Sequence, residues 1–390
     1  MIRFKNGGNG TTADGAILVA NPDEFQDALN YVDPNASVNN KYIELEADLD
    51  LNYSADWYYR MTDIFNVNSI ITTSDTADRK VVINGKNHAI SNIYVYPNCA
   101  VFGTISGMST HSSSIVSCML EINDVVFEAI LQKGAGFFSG STRQAWPGQE
   151  YYRLLMVPRT NGCIFNVKMN IANVSLPAFD YSVNMNRKYP RAVNCIFNLY
   201  VSDATDDWLP MFYADSYSSS DYSYMTIFES CEFRIRNNTD KKMCIFTLRT
   251  NSNFLIDNCA IFFADIKQYD NPQNRTTSYD QGWALSRHVL GKYDSGSSYL
   301  GYLKALFYNS FVAAFGDDFN SGSNDPIWFW MDLTETNMVT PATSFYDSSK
   351  LVISMDSNPQ TASGFTALTT AQCKDKTSLS NIGYLFAEEV

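Results

Sequence analysis

Between residues 82 and 107 the chain reads VINGKNHAISNIYVYPNCAVFGTISG, apolar at nearly every second position and interrupted by Gly or Asn every few steps. A period of two belongs to a strand with one face on a core, and the breaks limit each strand to about four to six residues. Val82 with Ile83, Ile90 with Ile93, and Val101 with Phe102 are expected to face the core. Gly85, Asn87, Asn92 and Asn98 are expected in corners that need left-handed backbone, where stacked Asn side chains can bond from one level to the next.

The same pattern returns further on as a short phrase: Cys163 Ile164 Phe165 Asn166 Val167, Cys195 Ile196 Phe197 Asn198 Leu199, Cys231 Glu232 Phe233 Arg234 Ile235 and Cys244 Ile245 Phe246 Thr247 Leu248, with a looser copy at Cys259 Ala260 Ile261 Phe262 Phe263. The residue before the Cys is often polar, as at Asn194, Ser230 and Asn258, and Asn309 Ser310 Phe311 reads as one more copy. Between the cysteines at 163, 195, 231 and 259 the intervals are 32, 36 and 28 residues. A repeat of that length indicates a solenoid. Within it Cys195, Phe197, Leu199 and Val201 point one way and Ile196, Asn198 and Tyr200 the other. Short strands recurring once per turn fit an all-β right-handed parallel β-helix, with short capping helices and irregular inserts at 202–224 and 264–300. Asn84-Gly85 and Asn161-Gly162 suit hairpins, so an antiparallel β-sandwich is the alternative.

Composition supports a β-rich chain: of 390 residues, 25 are Phe, 24 Tyr and 6 Trp, while only 18% are charged. The net charge of −13 argues against nucleic acid and anionic membrane surfaces as partners. No run of 18 apolar residues is present to span a bilayer, and the start, MIRFKNGGNGTTADGA, lacks the apolar stretch of a signal peptide. The eight Cys sit inside alternating apolar runs without CxxC pairs, so they are expected as buried, reduced thiols.

Several phrases carry a family resemblance. Asn21 Pro22 Asp23 Glu24 Phe25 reads as a short capping helix; it is followed by Tyr42 to Leu51 (YIELEADLDL), Gly85 to Ile93 (GKNHAISNI) and Val101 Phe102 Gly103. In that order they resemble the GLUG-type right-handed β-helix repeats found in bacterial surface proteins and some phage proteins. Leu368 to Asp375 (LTTAQCKD) and Gly383 Tyr384 Leu385 Phe386 are similar to the helix and strand that close such helices. The resemblance implies a Gly-rich extended arm at 1–16, a cap at 17–40, the β-helix at 41–367 and a closing cap at 368–390. With neither a secretion signal nor a C-terminal anchor expected, it implies a structural virion protein of a bacteriophage, a head or tail fibre, spike or appendage. Such a chain is made in the host cytoplasm and located in the virion. Its partners would be identical chains, a trimer among the options, other virion proteins, and host surface glycans. A β-helical polysaccharide lyase or hydrolase and a bacterial adhesin are the alternatives.

Candidate chemistry is sparse. Asp48 and Asp50 could offer hard oxygens to Ca²⁺, but two carboxylates fall short of a calcium loop, and capping of turn amides is the plainer reading. Glu232, Arg234 and Arg236 form an outward row if Cys231, Phe233 and Ile235 point in. Their column neighbours Ile164, Ile196, Ala260, Asn166, Asn198 and Phe262 supply no second carboxylate, which favours a solvated or intersubunit face over a glycosidase. The stretch 202–224 carries Asp206, Asp207, Trp208, Tyr213, Tyr217, Tyr222 and Tyr224, a set suited to sugar rings or to a protein contact. Trp57, Tyr58, Tyr59, Trp328 and Trp330 read the same way. His88, His111 and His288 have no metal-ligand spacing, and no nucleophile motif or cofactor fingerprint is present. Neither catalytic residues nor cofactors are expected.

Overall fold

The computed structural model describes residues 2–31, 40–52, 79–95, 100–103, 117–132, 135–139, 155–171, 179–180, 190–204, 208–214, 226–237, 242–248, 253–264, 288–292, 304–308, 310–315, 328–329, 339–342, 344–348 and 365–373. Within them the polar residue before each Cys is the key to the local structure. Asn194, Ser230 and Asn258 have φ of 53°, 53° and 52°, and Asp124 and Gly162 occupy the equivalent place at 52° and 65°. A left-handed residue redirects the chain in one step, and Asn, Asp and Gly adopt it most cheaply.

The turn is bonded to the neighbouring level. Asp124 N donates to Asn161 O at 2.8 Å, Gly162 N to Val193 O at 3.0 Å, Asn194 N to Glu229 O at 3.0 Å and Ser230 N to Asp257 O at 2.9 Å. Two residues later Ile196 N reaches Cys163 O, Glu232 N reaches Cys195 O and Ala260 N reaches Cys231 O, each at 2.9 Å. Backbone bonds between levels therefore flank the inward Cys on both sides, and at Cys259 the N–H between them donates to Ser310 Oγ at 3.2 Å.

These corners join two of three sheets. The first has eleven strands, from Ile17–Val19 through Lys41–Leu45, Arg79–Asn84 and Ser117–Asn123 to Val339–Ala342, with Arg3–Phe4 on its edge. The second has ten, from Leu49–Asp50 to Phe365–Leu368, and the third seven, from Ala100–Gly103 to Trp328–Phe329. From Arg79–Asn84 to Ser344–Asp347 the described strands visit them in rotation, first, second and third. Arg3–Phe4 against Ile17–Val19 is antiparallel, and every other ladder among the described strands is parallel. The protein is all-β with parallel sheets. The antiparallel sandwich is set aside, because Asn84-Gly85 and Asn161-Gly162 connect strands of different sheets rather than closing hairpins.

The core is built of aromatic columns. Phe127, Phe165, Phe197 and Phe233 stack from strand to strand at ring separations of 5.4, 4.8 and 5.1 Å, with interplanar angles of 14°, 4° and 5°. Facing them, Phe137, Phe179 and Phe212 stack at 5.5 and 5.0 Å. The two columns meet edge to face, as in Phe197 on Phe212 at 5.0 Å and 86°. Each buried ring contributes about 1.5–3 kcal/mol over an exposed one, and each favourable pair about 0.5–1.5 kcal/mol more.

Beside the rings Cys163, Cys195, Cys231 and Cys259 are buried free thiols. Burial pushes the Cys163 and Cys231 thiols up. Each acts as a small weak donor, Cys231 Sγ reaching Ala192 O at 3.3 Å and Glu229 O at 3.4 Å. Ser310 continues the column, its hydroxyl donating to Ile256 O at 3.1 Å. Cys244 does not belong to it: the phrase 244–248 lies on Lys242–Leu248 of the third sheet, where Ile245 and Phe246 are both buried.

Other expectations change in detail. Gly85 has no left-handed φ, and what demands glycine there is proximity, since a Cβ would lie 2.3 Å from Asp124 O. Asn87 and Asn92 are left-handed, at 67° and 55°, while Asn98 lies outside the described residues. The stretches 202–224 and 264–300 are not wholly inserts, because Trp208–Ala214 and His288–Lys292 are strands of the third sheet.

Residues 2–16 are not an extended arm. They fold back as a strap, pairing Phe4 with Ile17 and Arg3 with Leu18. Lys5 N donates to Ala16 O at 2.8 Å, and Tyr42 N to Gly10 O at 2.8 Å. The helix Pro22–Asn30 follows, started by the Asn21 side chain accepting from Glu24 N at 3.0 Å and by Glu24 accepting from Ala20 N at 2.8 Å. Near the other end Thr370–Cys373 is a short helix.

Replacing Phe197 with Ala should cost about 3–5 kcal/mol in urea unfolding, because it opens a cavity between two stacked rings. Ile196→Ala, on the outward side of the same strand, should cost below about 1 kcal/mol. Equal costs would mean the rings do not carry the core.

Candidate functional site

Pairing register brings the outward residues of the second sheet into columns. One contains Ile164, Ile196, Glu232 and Ala260, and the next Asn166, Asn198, Arg234 and Phe262. A third contains Lys168, Tyr200, Arg236 and Ala264. Asn198 donates its side-chain amide to Asn166 Oδ1 at 2.7 Å, an amide stack on a strand face rather than in a corner. At a corner the Asn258 amide donates to Ser230 Oγ at 2.9 Å.

Glu232, Arg234 and Arg236 were expected as an exposed row, and the structure corrects this. The Glu232 and Arg234 side chains are only 12% and 21% exposed and form an ion pair with each other. Beside them Ala260 and Phe262, also at outward positions, are 0% and 6% exposed. This stretch of the outer face is shielded from water, and charges held there need a partner. A glycosidase needs two carboxylates across a groove. Among the described residues the columns bring no second carboxylate beside Glu232, whose own oxygen is occupied by Arg234.

Of the aromatic and acidic stretch, Trp208 and Tyr213 lie on Trp208–Ala214. Asp206, Asp207, Tyr217, Tyr222 and Tyr224 lie outside the described residues, as do Trp57, Tyr58, Tyr59, His111 and Trp330. Trp328 and His288 are on strands of the third sheet.

Asp48 and Asp50 cap turns. Asp48 accepts from Ala89 N at 2.9 Å and lies 3.1 Å from His88 Nδ1, while Asp50 accepts from Asn92 Nδ2 at 2.7 Å and Asn52 N at 2.8 Å. These bonds hold both carboxyls below their ordinary values, Asp48 chiefly through the Ala89 amide and Asp50 chiefly through Asn92. Among the described residues no group of three or more His, Cys, Asp or Glu is placed to hold a metal ion.

A cluster that sequence reasoning missed surrounds Glu44. Its side chain is 7% exposed and takes charge-assisted bonds from Lys5 at 2.9 Å and from Lys86. Burial pushes its carboxyl up, but Lys86 and Lys5 outweigh burial and hold it below 4.5. Arg3 spans Glu24 and Glu46, at 2.7 Å each, and its bond holds the Glu24 carboxyl down. A lone Glu between Ile43 and Leu45 was the available signal, but its lysines lie 39 and 42 residues away along the chain. The chemistry of this cluster is clamping.

No family model matches the chain, and no curated protein matches it. Among solved structures, a Bacteroides ovatus protein described as "a putative immunoglobulin A1 protease" is 11% identical, with a TM-score of 0.47 over 96% of this chain and 89% of that one. A likeness that slight bears on neither fold nor chemistry. No helix among the described residues is long and apolar enough to cross a membrane.

Glu232→Ile alone should cost about 1–3 kcal/mol, because it strands the Arg234 charge in a shielded place. The double change to Ile and Asn, the residues at 196 and 198 in the preceding strand, should return to within about 1 kcal/mol of the original. No recovery would show that the pair does more than satisfy itself. The depressed Glu44 and Glu24 carboxyls stabilise the fold above their ordinary values and cease to do so as pH falls through the depressed ones. Amide exchange at Lys5 and Tyr42, scaled for intrinsic rates, should therefore rise below about pH 4 before exchange at Phe197 does. Simultaneous loss would detach the clamp from the effect.

Proposed function

We propose that the three parallel sheets are the faces of a right-handed parallel β-helix, and that the chain is a structural rod of a bacteriophage virion, a fibre, spike or appendage. The observation that carries the rod is the continuous register: inward Phe columns and left-handed corners repeat from strand to strand, so each turn of chain is supported by the next. The GLUG-type likeness of residues 17–107 supports the virion reading, since such repeats occur in phage proteins. Under it the chain acts by shape, with identical chains and other virion proteins as partners and host glycans as the target of its loops.

An antibody against the chain should decorate phage particles at a fixed position in electron micrographs. Unlabelled particles would reject the virion reading. Purified protein incubated with capsular polysaccharides of candidate hosts should bind without releasing reducing ends or unsaturated uronates. Turnover lost on replacing Asp206 or Asp207 with Asn would make the chain a depolymerase instead.

A further inference from the structure

The chain contains four Asn-Gly pairs, Asn6-Gly7, Asn9-Gly10, Asn84-Gly85 and Asn161-Gly162. Such a pair is prone to lose the Asn side-chain amide, because glycine puts no side chain in the way of its own nitrogen and lets the backbone rotate. What separates the four is how that nitrogen is held. Gly85 N donates to Asn123 O at 2.7 Å and Gly162 N to Val193 O at 3.0 Å, each a bond to the neighbouring level. Gly10 is buried and its N donates to Gly15 O at 2.7 Å, while Asn9 Oδ1 accepts from Thr11 N at 3.3 Å and from Thr11 Oγ1 at 2.7 Å. Asn6-Gly7 is different. It lies in the single 3₁₀ turn Lys5–Gly7, closed by Gly8 N donating to Lys5 O at 2.9 Å. Asn6 is exposed and left-handed, with φ 51° and ψ 27°, and Gly7 is exposed, with open space where a Cβ would point. Among the described residues the Asn6 side chain has no hydrogen-bond partner, and Gly7 N has none outside that turn.

We propose that Asn6 is a site of spontaneous deamidation, and that of the four pairs it alone reacts readily in the folded chain. At ψ 27° the Gly7 nitrogen is turned away from the Asn6 side-chain carbon, so the backbone must first rotate. At Asn6 that rotation opens one exposed turn. At Asn84 and Asn161 it breaks a bond between levels, and local opening costs run from near zero at exposed turns to the full stability of the fold in its ladders. The Gly7 nitrogen then gives its proton to base and attacks Asn6 Cγ. A C–N bond closes a cyclic imide, the bond from Cγ to the side-chain nitrogen breaks, and ammonia leaves with a proton from solvent. Water opens the ring at either carbonyl, giving aspartate or, with the chain rerouted through the side chain, isoaspartate. Either product adds a negative charge. Isoaspartate also lengthens the main chain by a methylene between two fixed points of the strap, Lys5 N on Ala16 O and Gly10 O under Tyr42 N.

The test ages the full chain in mildly alkaline buffer, folded and in urea, and maps its peptides by mass spectrometry. In the folded chain the mass gain of exchanging the side-chain amide for a carboxylate should appear at Asn6 at least about tenfold faster than at Asn9, Asn84 or Asn161. An isoaspartyl-specific methyltransferase with a labelled methyl donor should mark the same peptide. In urea the four pairs should react at similar rates, because the bonds that separate them are gone. Gly7→Ala should slow the reaction at Asn6 and leave the other three unchanged. Equal rates at the four pairs in the folded chain, or an Asn6 that stays intact while the unfolded chain reacts, would overturn the proposal. An Asn6 that leads by the same factor in urea would assign the preference to neighbouring sequence and overturn its structural basis. Amide exchange at Lys5 should be faster in the isoaspartate fraction than in the Asn6→Asp variant, which carries the charge on an unaltered main chain. Equal exchange would overturn the effect on the strap.

Discussion

A sheet whose strands must turn into another sheet risks stranding the amides and carbonyls of the turn. Here one left-handed residue redirects the chain, and its N–H bonds the carbonyl just before the equivalent residue of the neighbouring level, so the levels stay joined at the corner. Everything else depends on that continuity. Because each corner sits on the next, the residue after it always falls at the same height, and the same inward position is offered to Cys163, Cys195, Cys231, Cys259 and Ser310. Two residues after the first three of these, Phe165, Phe197 and Phe233 then stack at close to 5 Å. A slip of one residue would turn the whole aromatic column outward.

The outer faces follow the inverse logic. Nothing about the ladder dictates which outward residue occupies a column, so Ile, Asn, Lys and Tyr give way to Glu and Arg from one strand to the next. Where the charges are shielded they pair with each other, and where a carboxylate is exposed it caps a turn, as Asp48 and Asp50 do. At the first sheet's edge the constraint is different, because among the described strands none lies beyond Arg3–Phe4. The strap and its ion pairs close that edge with a minimal antiparallel strand.

The strands, the inward Cys and Phe, and the recurrence of a polar residue before the Cys were legible because each repeats locally, though the left-handed backbone of Asn194, Ser230 and Asn258 was not read from it. Column membership was legible too, since aligned phrases place Ile164, Ile196 and Glu232 together. What escaped reading was non-local. Cys244 copies the phrase but lies on the third sheet, and alternation cannot name a sheet. Trp208–Ala214 looked like an insert because its Asp and Tyr neighbours mask a strand. Residues 2–16 read as an extended arm because they are Gly-rich, while the contacts that fold them back belong to Ile17, Glu24, Glu44 and Glu46. Glu44 hid between two apolar residues because its lysines arrive from other levels.

The central claim is that the second sheet stacks in register from one level to the next, and one distance tests it directly. Glu128 and Ala313 are 185 positions apart in sequence, yet the pairs Glu128–Asn166, Asn166–Asn198, Asn198–Arg234, Arg234–Phe262 and Phe262–Ala313 place them in one column, five strand spacings apart. Spin labels introduced there as non-natural amino acids should give, by pulsed dipolar spectroscopy, a narrow distribution centred at about 24 Å between backbones, five steps of roughly 4.8 Å each. A broad distribution, or one centred beyond about 35 Å, would contradict the stacked register and with it the β-helix.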